Sequence, residues 1–390
     1  MKMRVLAAVA VAIPLAFGTS RLMAQGNSDV HVPDSSVEQP GDRGVRAHTN
    51  HVISLRNASP NAGSGPSGMW PSDISTAYSF TPGGTGTIAI VDAFDYPTAV
   101  NDFTVFANQF GLPVSNDTGS LIQVVYANGK PRTNCGWTQE SALDIEWAHA
   151  TAPNAKIVLV LAKSNSFTDL FQAVQVARNL PGVTQVSMSW GGSEFSGELS
   201  YDSNFTTTGN ALSFFAASGD TGGQTIYPGV SPNVVAAGGT SLKLVGGNWT
   251  ETGWSGSGGG PSKYEPRPAY QGLIGDISGN HRGVPDFSFD ADPKTGVAVY
   301  DSTRCQGLVG WLVFGGTSVS SPALAGIVNS AHAVNSTSSN QTELQVLYSN
   351  KANYGSQFRD VVGGTAGSFT ADAAWDFVTG IGSNLTLDGK

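Results

Sequence analysis

An α/β domain, built on a largely parallel sheet with helices on both faces, is the fold that the sequence predicts. Short apolar, β-like runs recur at Thr87–Ala93, Leu121–Tyr126, Ala155–Ala162, Thr184–Trp190, Ser213–Ala217 and Val234–Ala237. Helix-like stretches at Thr98–Phe110, Gln139–Ala150 and Ser166–Leu180 fill gaps between several of them. Strands that alternate with helices pair in parallel, because each crossover carries the chain back to the same sheet edge. The chain has 390 residues, 40% of them hydrophobic, which is enough apolar material to close such a sheet into a large core.

Taken in chain order, the first element is an export signal. Lys2 and Arg4 precede an apolar run from Val5 to Phe17, and Leu22-Met23-Ala24 ends in a small residue, so residues 1–24 read as a secretory signal peptide. That run is too short to span a bilayer, and no later stretch reaches the roughly 18 apolar residues a transmembrane helix needs. The mature protein is therefore expected to be exported, to an extracellular or periplasmic space, with no membrane contact after signal removal. Residues 25–65 are rich in Ser, Asn, Asp, Gly and Pro without sustained apolar periodicity, the composition of a short propeptide or linker in which no core begins. The folded domain is expected to occupy residues 66–390. After Gly238 it passes through the Gly-rich stretch Gly253-Trp-Ser-Gly-Ser-Gly-Gly-Gly-Pro-Ser262 and resumes with a helix at Ser320–Val334. The two cysteines, Cys135 and Cys305, form one disulfide in an oxidising compartment or remain two buried thiols.

Composition narrows the function. A formal net charge of −9 leaves no basic surface for a phosphate backbone, so nucleic acid is not an expected partner. Charged residues are 13% of the chain, about half the usual share, while 49 positions are Gly. With every carboxylate protonated, only 20 Lys and Arg and six His would carry charge, which limits the self-repulsion that drives acid unfolding.

Three short segments carry chemistry. In Cys135-Gly-Trp-Thr-Gln-Glu-Ser-Ala-Leu-Asp-Ile-Glu-Trp-Ala-His149, a helical rise of about 100° per residue sets Glu140 and Asp144 about 40° apart, with His149 on the opposite face. Two carboxylates that close cannot both ionise cheaply, so one holds a proton and the pair can serve as acid and base. The same pair also fits a solvated acidic face near a helix start. In Phe314-Gly-Gly-Thr-Ser-Val-Ser-Ser-Pro322, a Gly-rich turn delivers Ser318 to the start of an apolar helix, where it is a candidate nucleophile or a plain helix cap. In Ala216-Ala-Ser-Gly-Asp-Thr-Gly-Gly223, Asp220 follows a strand at its carboxyl end, the edge where open α/β sheets bind ligands.

In this order the segments resemble the sedolisin family of serine-carboxyl peptidases. The likeness runs from about Met69 to Gly382. It includes Ser187-Met-Ser-Trp-Gly-Gly192 and Trp375-Asp-Phe-Val-Thr-Gly-Ile-Gly382 beside the three segments above. The resemblance implies a subtilisin-like fold in a single catalytic domain. It also implies an acid-active endopeptidase acting as a monomer on proteins or peptides. In it Ser318 is the nucleophile, Glu140 the general base and then acid, Asp144 the residue that orients Glu140, and Asp220 the oxyanion-hole acid. Ser189, Trp190 and Gly191 would pair with an extended substrate. The resemblance further implies one structural calcium ion, on side-chain oxygens of Asp360 and Asp376 and main-chain oxygens of Val361, Asp372 and Ala374. Asp372 and Ala374 stand where the family often has Gly, and the pro-region of about 40 residues is short for this family.

A histidine-based triad of the subtilisin type is the nearest competitor, but the His-Gly-Thr-His type of motif is absent. His149, His281 and His332 read as surface or packing residues. Asp92 ends the first main strand, where subtilisins keep their triad aspartate, and is read as a relic or a hydrogen-bond acceptor outside the catalytic set. The alternative of a different class is a catalytically silent, secreted peptide-binding protein on the same fold.

Overall fold

The computed structural model describes residues 29–55, 66–209, 211–334 and 341–390, so the predicted signal peptide at 1–24 lies outside the described residues. Three short strands come first: β1 (Val30–His31), β2 (His48–Thr49) and β3 (Val52–Ser54). The alternating region follows as β4 (Thr87–Ala93), α1 (Ala99–Phe110), β5 (Ile122–Tyr126), α2 (Cys135–Thr151), β6 (Lys156–Ala162) and α3 (Phe167–Arg178). Next are β7 (Val183–Met188), β8 (Trp190–Ser193), β9 (Ser213–Ala217), β10 (Val235–Val245) and β11 (Asn248–Gly253). The last elements needed for the site are β12 (Phe287–Asp290), β13 (Val297–Cys305), β14 (Leu308–Gly315), α4 (Thr317–Val334), β15 (Phe358–Arg359) and β16 (Ser383–Asn384).

Ten strands form the central sheet, in the order β15-β16-β12-β10-β9-β7-β4-β6-β5, with β11 paired on β10. From β16 to β5 every neighbouring pair is parallel, and only β15 and β11 run antiparallel to their partners. A sheet covered on both faces needs apolar residues at successive positions. In β4 all seven residues are buried: Ile88 and Ile90 enter one core, Ala89 and Val91 the other. α2 and α4 fill the first core, and α3 packs on the second through Phe167, Leu170 and Val174.

α2 begins at Cys135, four residues before the predicted start, because the Asn134 side chain accepts from the amides of Gly136 (3.1 Å) and Trp137 (3.3 Å). Nearly every residue of the helix is buried, including Glu140, Asp144, Glu146 and His149. α4 crosses α2 closely at Gly326, where a Cβ would collide with the Thr151 hydroxyl and lie 2.9 Å from the Ala148 carbonyl. Cys135 and Cys305 are joined in a disulfide with Cα atoms 5.2 Å apart, tying the start of α2 to the end of β13. Closing a loop of 170 residues stabilises by up to about 5 kcal/mol in the chain-entropy model.

The leader departs from expectation. Residues 29–55 were predicted to be loose, yet Ala47, Val52 and Ile53 are buried, and Ala47 and Ile53 join the main cores. β3 pairs with β14, and β1 pairs with β3. What composition could not reveal is that the apolar run Val52-Ile53 finds its partner strand some 260 residues away.

Burial also raises many carboxyls. Desolvation pushes Glu198 up to about 9, Glu265 up to about 8 and Asp301 up to about 7. Each holds in the folded state a proton that it sheds near pH 4 when unfolded. Their contribution to stability is complete below that value and is lost as pH rises through the folded values. The thermal midpoint is therefore expected to be highest in acid and to fall between about pH 4 and 9, as measured by calorimetry across that range. In the same assay Gly326→Val is expected to lower the midpoint, through a clash between α4 and α2 costing about 1–3 kcal/mol.

Candidate active site

Three carboxylates meet at the carboxyl edge of the sheet. Glu140 and Asp144 come from one face of α2, Asp92 from the end of β4, and all three side chains are shut off from solvent. Asp144 Oδ1 accepts from the Ser189 hydroxyl at 2.8 Å, and Asp92 Oδ2 accepts from the Ser141 hydroxyl at 2.8 Å. Burial, then Asp92, then Glu140 drive the Asp144 carboxyl well above its usual range. Burial and Glu140 do the same to Asp92. Asp144 and Asp92 thus hold protons at pH values where exposed carboxyls have none. Asp92 belongs to this group by position, and it accepts a hydrogen bond there.

Ser318 enters on the first turn of α4 rather than as its cap. The turn before it needs glycine: Gly316 has φ 98°, and a Cβ there would collide with the Asn50 carbonyl oxygen and crowd Asp220 Oδ2. Asp220 follows β9, as predicted, and its Oδ1 accepts from the Thr317 amide (2.7 Å) and hydroxyl (2.9 Å). Its Oδ2 is buried and has no hydrogen-bond partner among the described residues. Desolvation outweighs those two bonds and pushes Asp220 up to about 8. The sheet edge therefore brings Glu140, Asp144, Asp220 and Ser318 to one place.

That place is filled by the chain's own leader. β2 lies antiparallel on β8, with Thr49 opposite Trp190 and His48 opposite Gly191. Asn50 N–H donates to the Ser189 carbonyl at 3.2 Å, and the Ser318 amide donates to the Asn50 carbonyl at 2.9 Å. Ser318 Oγ donates to the Ser189 carbonyl (3.1 Å) and accepts from the Asn50 amide (3.1 Å). No hydrogen bond joins Ser318 to Glu140 among the described residues. Instead Glu140 Oε2 lies 2.6 Å from His51 Nδ1 in a fully buried pair, and the His51 ring stacks on Phe314 at 5.3 Å.

His51 was missed in the sequence because the leader looked unstructured. The signal available was the β-like run Val52-Ile53-Ser54-Leu55 immediately after a histidine. His51 Nε2 has no hydrogen-bond partner among the described residues, so the ring does not link Glu140 to the serine. His149 packs against Phe103 at 4.5 Å, and burial lowers it to about 4; His281 is exposed. Ser189, Trp190 and Gly191 line the strand that holds the leader, and the Trp190 indole donates to the Val91 carbonyl at 2.7 Å.

The predicted calcium loop lies at the far end of the sheet. Asp360 accepts from the Ala374 amide at 3.0 Å, and Asp376 Oδ1 accepts from the amides of Val378 (2.7 Å) and Thr379 (2.9 Å). Burial, then Asp360 and Asp376, raise the Tyr354 phenol, and neither carboxylate forms an ion pair with Lys or Arg among the described residues. Asp372 adds a third charge that helps push Asp376 up to about 6, behind burial as the main cause. No cluster of three or more His, Cys, Asp or Glu with metal-binding geometry occurs among the described residues, so main-chain oxygens must complete any site. The carboxylates of Asp360 and Asp376, with no Lys or Arg paired to them among the described residues, are donors of the hard-oxygen type that calcium takes.

Comparison with known proteins agrees with this architecture. Sedolisin of Pseudomonas sp. (strain 101) is 28% identical over 383 residues, covering 87% of this chain and 64% of that protein. Kumamolisin of Bacillus sp. (strain MN-32) is 30% identical over 366 residues, covering 83% of this chain and 63% of that protein. The chain thus spans a little under two thirds of the length of these relatives. The solved structure of Pseudomonas sedolisin, a serine-carboxyl proteinase complexed with two molecules of pseudo-iodotyrostatin, matches with TM-score 0.71 and 26% identity. The match covers 82% of this chain and 96% of that one. A psychrophilic protease, S41, shares the fold alone, with TM-score 0.52 and 20% identity over 83% of this chain and 99% of that one. The model of the subtilase family matches residues 119–382, from just before β5 to the end of the described motifs, and on that extent the chain belongs to the subtilase family.

Proposed function

We propose that the chain is an exported, acid-active serine-carboxyl endopeptidase. The observation that carries this reading is a peptide unit clamped against the candidate nucleophile. The Asn50 carbonyl sits on the Ser318 amide, and the orphaned Asp220 Oδ2 faces the same crowded point beside Gly316. In this reading Ser318 Oγ attacks a substrate carbonyl and Glu140 takes its proton. Asp144, held by the Ser189 hydroxyl, fixes the orientation of Glu140. The developing oxyanion receives the Ser318 amide and the proton of neutral Asp220. Glu140 then returns its proton to the leaving amine, and water hydrolyses the acyl-enzyme. Substrate main chain would add to the edge of β8, as the leader does.

Asp220 donates only while protonated, so that donation is complete well below about pH 8 and is lost as pH rises through it. Peptide hydrolysis is expected to be fastest in acid and to vanish above that value, in a profile of kcat/KM against pH. Ser318→Ala is expected to abolish turnover, and Asp220→Ala to reduce kcat about a hundredfold or more. Peptide binding without turnover at any pH would instead identify a silent binding protein.

We also propose one structural calcium ion, held by Asp360 and Asp376 with main-chain oxygens of Val361, Asp372 and Ala374. When bound, it would neutralise the carboxylates and pin the loop that leads into β16. Chelation is expected to lower the thermal midpoint of the wild type, and Asp360→Asn to lower the midpoint and remove its response to chelator.

A further inference from the structure

β13 and β14 form a hairpin whose outer edge is finished by side chains. In the order β1-β3-β14-β13, β14 is bonded on both sides, while no strand covers the far edge of β13 among the described residues. The two strands pair antiparallel from Val297 opposite Phe314 to Asp301 opposite Gly310. An edge strand turns every second amide outward, and an amide shut in against a helix needs an acceptor. Three segments supply acceptors here. The Ala298 amide donates to the Met69 carbonyl (3.1 Å), the Tyr300 amide to Glu146 Oε2 (3.0 Å) and the Ser302 amide to Asp102 Oδ2 (3.0 Å). Trp147, next to Glu146 on α2, adds a bond of its own, the indole donating to the Ala298 carbonyl at 2.9 Å. The Thr138 hydroxyl on Asp301 (3.3 Å) and the Cys135–Cys305 disulfide extend these ties to the start of α2.

These ties matter because of what β14 delivers. That strand runs through Gly315 into the turn before α4 and Ser318. One hairpin therefore grips the helix of the acid pair with its first strand and presents the serine with its second. Glu146 lies about 200° around α2 from Asp144, at about 100° per residue, so it faces away from the acid pair and touches no reacting group. Its side chain is buried, and burial drives the carboxyl well above its usual range against the pull of the Tyr300 amide, with Asp102 and Asp301 adding to the rise. Glu146 is thus a neutral acceptor, a role that an amide side chain also fills. We propose that Glu146 is a positioning residue: by accepting from the Tyr300 amide it sets the rotation of α2 on β13, and so the aim of Glu140 and Asp144 at Ser318. This rests on the peptidase reading above. Turning α2 by about 10° moves an atom about 5–6 Å from the helix axis by about 1 Å. A misplacement of about 1 Å costs on the order of a hundredfold in rate.

The test compares Glu146→Asp and Glu146→Gln with the wild type, reading kcat and KM on a peptide in acid and the thermal midpoint by calorimetry. Aspartate shortens the arm by one carbon, so its carboxyl reaches the Tyr300 amide only if α2 turns. Well below its midpoint, where all of the protein is folded, Glu146→Asp is expected to lose about tenfold or more in kcat, with KM within about threefold of the wild type. Glu146→Gln keeps both length and acceptor, and is expected to hold kcat within about threefold of the wild type. Trp147→Phe keeps a ring but removes the neighbouring bond, and is expected to lower kcat without moving KM. Unchanged kcat in folded Glu146→Asp, a loss that falls on KM, or a Gln variant as slow as the Asp variant overturns the inference and leaves the peptidase reading intact. Should Glu146→Asp fail to fold, unchanged kcat in Trp147→Phe overturns it instead. Absence of Ser318-dependent peptide hydrolysis in the wild type overturns the reading and the inference together.

Discussion

Keeping several carboxyl groups out of water in one small volume is the constraint on which the rest of this structure depends. A carboxylate moved from water into an apolar interior gives up its hydration, and Asp144 and Asp92 recover little of it, having one hydroxyl partner each. The response is to retain protons. Asp220, beside the helix start of α4, follows the same logic even though the Thr317 amide and hydroxyl both stabilise its charged form. The same desolvation raises Glu198, Glu265 and Asp301 elsewhere in the fold.

Such a volume needs rigid walls. α2 is buried on nearly all sides and α4 presses against it at Gly326, so the helix that carries the acid pair and the helix that carries the serine are fixed relative to each other. The disulfide at Cys135 holds the start of α2 against β13. Close backbone approach is repeated at Gly316, where the absence of a side chain leaves room for both a peptide carbonyl and Asp220. Small residues therefore set the distances, and the acidic residues exploit them.

The leader pairs in turn with two strands that meet beside the carboxyl cluster. The edges of β8 and β14 would each be left unpaired without it, and residues 48–49 and 52–54 supply the neighbouring strand to each in turn. His51 reaches Glu140 as a consequence of that register: with Asn50 fixed on Ser189 and Ser318, the next side chain falls at the buried carboxylate. The pair is a product of strand pairing, which sets position two residues at a time.

Much of this was legible in the residues themselves. The fully apolar runs of β4 and β6 and the helical spacing of Glu140 and Asp144 are local patterns, and local patterns predict local structure. The Gly-rich turn before Ser318 and the placement of Asp220 after a strand are patterns of the same kind, and with them the α/β class and the candidate site were within reach. Three things were not local. The pairing of Cys135 with Cys305, the inclusion of Asp92 in the acid cluster, and the seating of His51 on Glu140 each join segments that sequence leaves far apart. They depend on strand order and on which edges remain unpaired, and those are settled only when the whole chain has packed.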